Sequence, residues 1–195
     1  ESAYAENGGL SANKATEWHR VALAVTALGG DAAAFGTKPD GTTIDLIADG
    51  CYDCVVEGGP GAQGLNGWIF ALLALDAGGY QAPEGARYTR ETIIEAIVSA
   101  QGEDGGFSLT GDALDADITA MALQALAPYA DGQAEVIDRA LAALSAAQCA
   151  DGGFASWGAE NAESTAQVVM ALCALGIDPA ADERFCKEGG SAVTA

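Results

Sequence analysis

The sequence predicts an all-helical protein built from repeated helical hairpins, and three observations carry that expectation. A seven-residue motif recurs at a fixed spacing, Ala supplies much of the hydrophobic half of the chain, and one-sided helical patterns alternate with helices that are apolar nearly all round. Ala favours helix over sheet. The motif is the strongest of the three. Gln101-Gly-Glu-Asp-Gly-Gly-Phe107 returns 47 residues on, as Gln148-Cys-Ala-Asp-Gly-Gly-Phe154. Each copy is followed by an acidic residue that opens a helix, in Asp117-Ile-Thr-Ala and again in Glu163-Ser-Thr-Ala, 46 residues apart. Self-similarity at this period is the mark of stacked hairpins.

The elements follow in order. Trp18 to Leu28 is apolar almost all round, as are Asn66 to Leu75, Asp117 to Tyr129 and Glu163 to Leu175. Such helices have to be buried on several sides. Between them lie amphipathic helices with one wet face. Thr89 to Ala100 places Ile93, Ile94, Ile97 and Val98 together, and Glu135 to Ala147 does the same with Ile137, Ala140, Leu141 and Leu144. Thr42 to Cys51 is a weaker outer helix, read from Ile44 and Ile47. Alternation of wet and buried helices implies an outer and an inner layer. The Asp-Gly-Gly loops turn sharply, and their Phe packs back between hairpins. Seven helices precede Asp178-Pro179; a short stretch, Asp182 to Lys187, follows, and Ser191 to Ala195 reads as the first turn of an eighth. The expectation is one repeat domain over residues 1–195, about four hairpins, with the array incomplete at its C-terminal end.

Charge narrows the partners. A net charge of −20, with only eight Lys and Arg, leaves no basic footprint for nucleic acid and disfavours anionic membrane surfaces. No apolar run reaches membrane-spanning length, so membrane insertion by this domain is not expected. Glu1 is not an initiator, so the start of the chain is expected to be trimmed. The five cysteines are Cys51, Cys54, Cys149, Cys173 and Cys186. Cys51-x-x-Cys54 lacks a second ligand pair, and His19 is the single histidine, so neither a metal nor another cofactor is expected. Structural thiols are the reading, with one disulfide open to an exported protein.

Gln101/Gly105/Phe107 and Gln148/Gly152/Phe154 resemble the Gln-Trp repeat of the terpenoid cyclase and protein prenyltransferase toroids, with Phe in place of Trp. Glu17-Trp18, Asn66 to Asp76, Thr119 to Tyr129 and Glu163 to Gln167 are similar to bacterial prenyltransferase/squalene-oxidase-repeat proteins, many of them exported or surface-anchored. The resemblance covers nearly the whole chain. It implies an α/α toroid of alternating inner and outer helices, and an extracellular or cell-surface location. Fold carries function weakly.

The enzymes of that superfamily supply specific comparisons. Class II terpene cyclases carry Asp-x-Asp-Asp-Thr-Ala, whose middle Asp is the proton donor. Here Asp115-Ala116-Asp117-Ile118-Thr119-Ala120 keeps that middle position as Asp117, the one catalytic candidate, but puts Ile118 in place of the adjacent Asp. Cation cyclisation also needs an aromatic-lined cavity, and aromatics make up 7% of this chain. Protein prenyltransferases hold zinc through an Asp-x-Cys element, and Asp117 stands where that Cys would be. Complement-type thioester domains use Gly-Cys-Gly-Glu-Gln; Gly50-Cys51-Tyr52-Asp53-Cys54 lacks the acyl-donating Gln.

The expected function is therefore a non-catalytic binding or interaction module, its partner a bulky small molecule, a protein or a glycan. Animal cobalamin carriers, which use a similar toroid, prompt the small-molecule option. The alternative is an isoprenoid-processing enzyme. Candidate ligand-binding residues are Asn66, Asp115, Asp117, Trp157 and Glu163. Aligning the inner helices on Leu75, Leu126 and Leu172 puts Asn66, Asp117 and Glu163 each nine residues earlier, at three helix N-termini. Capping and dipole compensation explain such residues there, and so does a polar rim at one mouth of a ring. Trp18 and Trp68 open inner helices and read as core, whereas Trp157 sits in a loop and reads as an exposed contact.

Overall fold

The structure, a computed structural model, describes every residue except Glu1, Asp112 and Trp157. About 52% of it is helical. The remainder is loops, together with three antiparallel pairs of two-residue strands: β1 (Gly36–Thr37) with β2 (Thr43–Ile44), β3 (Ala155–Ser156) with β4 (Ala159–Glu160), and β5 (Cys186–Lys187) with β6 (Gly190–Ser191). The protein is helix-rich rather than helical throughout. It forms two compact units, Glu1–Ile97 and Val98–Ala195.

Unit 1 contains α1 (Ser2–Asn7), α2 (Ala15–Ala27), α3 (Leu65–Ala77) and most of α4 (Arg90–Val98). Helices α2 and α3 pack directly against each other. Of the expected helix from Thr42 to Cys51 only the second half is helical, from residue 46 on. Ile44 instead pairs with Gly36, and Asp45 Oδ1 accepts from the N–H groups of Ile47 (3.0 Å) and Ala48 (2.7 Å), which starts a turn. The chain then winds a single π-type turn, Ala48–Tyr52, closed by Asp53 N donating to Ala48 O at 3.0 Å. Ile44 and Ile47 are fully buried all the same, because an apolar i, i+3 pair satisfies a tight turn as well as a helix. Helix α4 buries Ile93 and Ile97, and Arg90 anchors it to the end of α3, donating through Nε to Asp76 Oδ1 (2.8 Å) and through Nη2 to Leu75 O (3.1 Å).

Two close approaches shape this unit. A Cβ on Gly50 would lie 2.8 Å from Trp18 Cβ, so Gly lets the turn come close enough for the fully buried His19 to meet Gly50 O at 2.7 Å through Nε2. Burial lowers the imidazole from its ordinary 6.5 to about 4, against a smaller raising effect of that hydrogen bond. The ring is therefore neutral, with the proton on Nε2. Gly67, buried in the first turn of α3, faces the Pro60 carbonyl so closely that a Cβ would clash with it. In an exposed helix Gly→Ala gains up to about 1 kcal/mol, but overpacking costs about 1–3 kcal/mol. Gly67→Ala is expected to lower the urea midpoint, and Gly132→Ala, where the space is open, to raise it. Chemical denaturation of the two variants checks both signs.

Unit 2 contains α5 (Ala116–Leu126), α6 (Ala130–Ala147) and α7 (Ala162–Ala174). A 3₁₀ turn, Ala127–Tyr129, joins α5 to α6, whose first turn is kinked at Gln133. Helix α6 buries Ile137, Ala140, Leu141 and Leu144 and leaves its other face wet. Helix α7 packs on α5, where Gln124 Nε2 donates to Gln167 Oε1 at 2.9 Å. Residues 182–187 form turns and β5 around the fully buried Phe185. Residues 191–195 close a single helical turn, as expected there, with Ala195 N donating to Ser191 O at 3.1 Å.

The recurring motif is one structural device used twice. In the first copy Gln101 Nε2 donates to Gly105 O (2.9 Å) within its own loop and to Val136 O (2.8 Å) in α6. In the second, Gln148 Nε2 donates to Gly152 O (2.8 Å) and Phe185 O (2.9 Å). The Asp of each loop accepts from the second Gly, in Gly106 N to Asp104 and Gly153 N to Asp151, both at 2.9 Å. Gly105 (φ 85°) and Gly152 (φ 100°) take the left-handed conformation the turn requires. Phe107 and Phe154 are buried, and their N–H groups donate to Thr119 Oγ1 of α5 and Thr165 Oγ1 of α7. Each glutamine thus ties its own loop to a later segment, α6 in the first copy and the turn at Phe185 in the second.

Candidate functional site

The first Asp-Gly-Gly-Phe loop ends at the N-terminus of α5, and the chain is held there from several sides. Leu114 N donates to Asp104 Oδ2 (3.0 Å), and Asp115 N donates to Phe107 O (3.0 Å). Asp115, in extended conformation, is the N-cap: its Oδ1 accepts from Asp117 N (2.9 Å) and Ile118 N (3.1 Å). Its Oδ2 accepts from the Ser156 hydroxyl at 3.1 Å, which joins the loop before α7 to the start of α5. Both oxygens are thereby engaged.

Asp117 sits two residues further in, within the first turn, and does not cap. The alignment of Asn66, Asp117 and Glu163 is correct in register, since each is the second residue of α3, α5 or α7. The capping positions lie two residues earlier. Gly64 precedes α3 with no side chain to offer, and Asn161 caps α7 by accepting from Ser164 N at 2.7 Å. Asp117 and Glu163 retain the dipole-compensating part of the expectation, as acidic groups in a first turn.

A cavity of about 270 Å³ opens at this point, lined by Leu109, Thr110, Leu114, Asp115, Asp117 and Ile118 among others. Asp117 Oδ1 is buried, yet it has no hydrogen-bond partner within the protein. The cavity combines leucine and isoleucine walls with carboxylate oxygens that only accept. A group carrying both hydrogen-bond donors and an apolar face matches that chemistry.

The other candidates lie apart. Glu163 is exposed on α7 and does not line the cavity. Asn66 belongs to unit 1; its Oδ1 is also buried without a partner. Trp157 lies outside the described residues. Trp18 is core, donating from Nε1 to Ser11 O at 2.8 Å, while Trp68 is half-buried with its ring edge against Tyr88. Sequence reasoning missed Asn161 and Ser156; an Asn just ahead of an Ala-Glu-Ser helix start was the available signal for the first, and nothing marked the second.

Cys51 and Cys54 are fully buried free thiols, with Cys51 Sγ directed to Ala71 O. Burial pushes the Cys51 thiol far above its ordinary range, and Cys54 beside it pushes the same way. Cys54 is raised too, again chiefly by burial. These are core groups in the protonated form at neutral pH. Cys173 and Cys186 are exposed free thiols. Among the described residues no cluster of three or more His, Cys, Asp or Glu is placed to hold a metal ion, and no helix is long and apolar enough to cross a membrane.

Compared with protein-family models, curated proteins and solved structures, the chain matches none.

The cap assignment carries a stability prediction. Asp115→Ala removes the acceptor of two backbone N–H groups and is expected to cost about 1–2 kcal/mol, with Asp115→Asn milder. Asp117→Ala trades a favourable dipole contact against relief of an unpaired buried oxygen, so its effect should stay below about 1 kcal/mol. Thermal denaturation that ranks Asp117→Ala as the more damaging variant would reverse the assignment.

Proposed function

We propose that this chain is a non-catalytic binding or interaction module of an exported bacterial protein, with its helices arranged as an α/α toroid or part of one. The observation that carries the binding reading is the cavity at the N-terminus of α5, where Asp117 Oδ1 is buried without a partner. A buried acceptor left unpaired is unfavourable by about 1–3 kcal/mol until a donor reaches it. A ligand supplying that donor gains the same amount. Leu109, about half exposed, and Ile118 offer the apolar contact beside it. A glycan hydroxyl beside a sugar's apolar face fits, as does a protein side chain of the same character or a bulky small molecule.

The toroid is supported by direct packing of buried helices, α2 with α3 in one unit and α5 with α7 in the other. One-sided burial on α4 and α6 is the outer-layer pattern. Export and surface location rest on the resemblance of the repeat.

The competing reading is an isoprenoid-processing enzyme, and placement of Asp117 among Leu109, Leu114 and Ile118 is the observation in its favour. Against it, no aromatic side chain is among the described lining residues. The adjacent carboxylate that would support an acid is Ile118. Two assays separate the readings. A glycan and peptide panel, read by amide chemical shifts, is expected to give hits that move residues 108–118 and weaken in Asp117→Ala. Incubation with squalene or polyprenyl diphosphates, with and without magnesium, is expected to give no product. A cyclised terpenoid made by the wild type and not by Asp117→Asn would establish the enzyme.

A further inference from the structure

We infer that the exposed face of α2 docks an amphipathic helix of a partner protein, one that carries acidic side chains beside an apolar stripe. The starting point is the set of eight basic residues in a chain whose net charge is −20. Six of them are engaged. Lys38, Arg90 and Arg184 form ion pairs with Asp49, Asp76 and Asp182. Arg87, Arg139 and Lys187 donate to the backbone carbonyls of Cys54, Gly102 and Ser145. The side chains of the other two, Lys14 and Arg20, make no hydrogen bond or ion pair among the described residues. Both line one groove along α2.

That groove holds about 620 Å³. Its apolar part is a stripe of Val21, Ala24, Val25 and Leu28, spaced i, i+3, i+4 and i+7. Leu28 is 89% exposed, Ala24 is exposed, and the two valines are partly so. At 1.5 Å per residue, Lys14 to Leu28 spans about 21 Å, or roughly four turns. The spacing is that of a helix seam, and the small Ala24 at its middle lets a second backbone approach. A slender amphiphile laid on one such face would keep most of its surface in water, whereas small-molecule sites bury about 70–90% of their ligand. A helix brings the opposing wall with it.

Charge selects the sign of that helix. Lys14 immediately precedes α2, Arg20 follows within it, and Glu17 lies between them. Two cations and one carboxylate leave the groove net positive on a protein that is strongly negative. At physiological ionic strength, exposed charges more than about 8 Å apart are largely screened. A docked side chain therefore answers to Lys14, Glu17 and Arg20 rather than to the whole surface. Carboxylates flanking the partner's stripe reach the two unpaired cations, and such rim pairing fixes register and rejects basic helices. Glu17 opposes the same partner, so removing its charge strengthens the contact. All of these residues lie in unit 1, and the contact stands or falls apart from the cavity at α5.

Two synthetic helical peptides test this, alike in a leucine stripe at i, i+3, i+4 and i+7, with flanking glutamates in one and flanking lysines in the other. Amide chemical shifts of the protein are followed at about 0.15 M salt, where the Debye length is about 8 Å. The glutamate peptide is expected to move residues 14–28 and to bind there about tenfold more tightly than the lysine peptide. The double variant Lys14→Glu/Arg20→Glu is expected to invert that preference. Glu17→Gln is expected to tighten the glutamate peptide by about threefold. Should the double variant fold poorly, Lys14→Gln and Arg20→Gln, both at exposed positions, are each expected to weaken that peptide by about threefold. Dodecanoate is the control for a small amphiphile. Four results would each overturn the inference: residues 14–28 unmoved by the glutamate peptide, shifts there with dodecanoate alone, equal affinity for the two peptides, or a preference that the charge substitutions leave unchanged.

Discussion

Phe154→Ala is expected to destabilise unit 2 by about 3–5 kcal/mol, the range for removing a fully buried aromatic ring. Phe154 is 0% exposed, and its backbone is fixed at both polar groups: the N–H donates to Thr165 Oγ1 (3.0 Å), and the carbonyl accepts from Asn161 N (3.2 Å). The loop therefore cannot slide into the space the ring leaves, and the cavity term is felt in full. Phe107→Ala should behave alike, because Phe107 holds the equivalent place. Phe154→Leu keeps most of the apolar volume and should cost clearly less. Hydrogen exchange locates the effect: protection is expected to fall first in α7 for Phe154→Ala and in α5 for Phe107→Ala. A loss under about 1 kcal/mol in both would mean that these rings do not belong to the core.

The second large effect is a dependence on pH centred on His19. Its folded value of about 4 lies below the unfolded 6.5, so the unfolded chain binds the proton more readily. The neutral buried ring contributes its full stability above pH 6.5, and that contribution is lost as pH falls toward 4. Integrating the difference gives about 3 kcal/mol. The many carboxylates act in the opposite direction, because their protonation relieves the repulsion of a −20 chain. Wild type alone therefore mixes two slopes. His19→Gln keeps a donor for Gly50 O but does not titrate, so the difference between the two proteins isolates the histidine. Urea titrations at pH 7 and pH 4 are expected to show wild type losing about 3 kcal/mol relative to the variant. Parallel curves would mean that His19 is hydrated in the folded state.

Most helices were legible because their apolar spacing survives in the buried faces: Ile93 and Ile97 on α4, and Ile137, Ala140, Leu141 and Leu144 on α6, are turned inward as the pattern requires. The stretch from Thr42 to Cys51 is helical only in its second half, because Ile44 is equally at home in a strand pair and Asp45, whose side chain captures the N–H groups of Ile47 and Ala48, starts the helical turn there. Short α1 has too few residues to show a period. At the site, hydrophobic alignment placed Asn66, Asp117 and Glu163 correctly on their helices, but it could not tell an N-cap from the second helical residue. That distinction rests on the extended backbone of Asp115 and Asn161, which composition does not encode. The unpaired oxygen of Asp117 is a property of packing alone.

The glutamine of each loop has a consequence for how the chain is made. Gln148 takes one acceptor from its own turn, four residues on, and the other from Phe185, 37 residues on; Gln101 does the same with Val136, at a separation of 35. On a translating ribosome the near bond can close as soon as the loop emerges, but the far one waits for the following segment. Each loop is thus finished 35 or 37 residues late, by material that arrives after it. Assembly proceeds as a zipper with a fixed lag, and a pause in translation between Gln148 and Phe185 would leave Phe154 waiting under a half-closed loop.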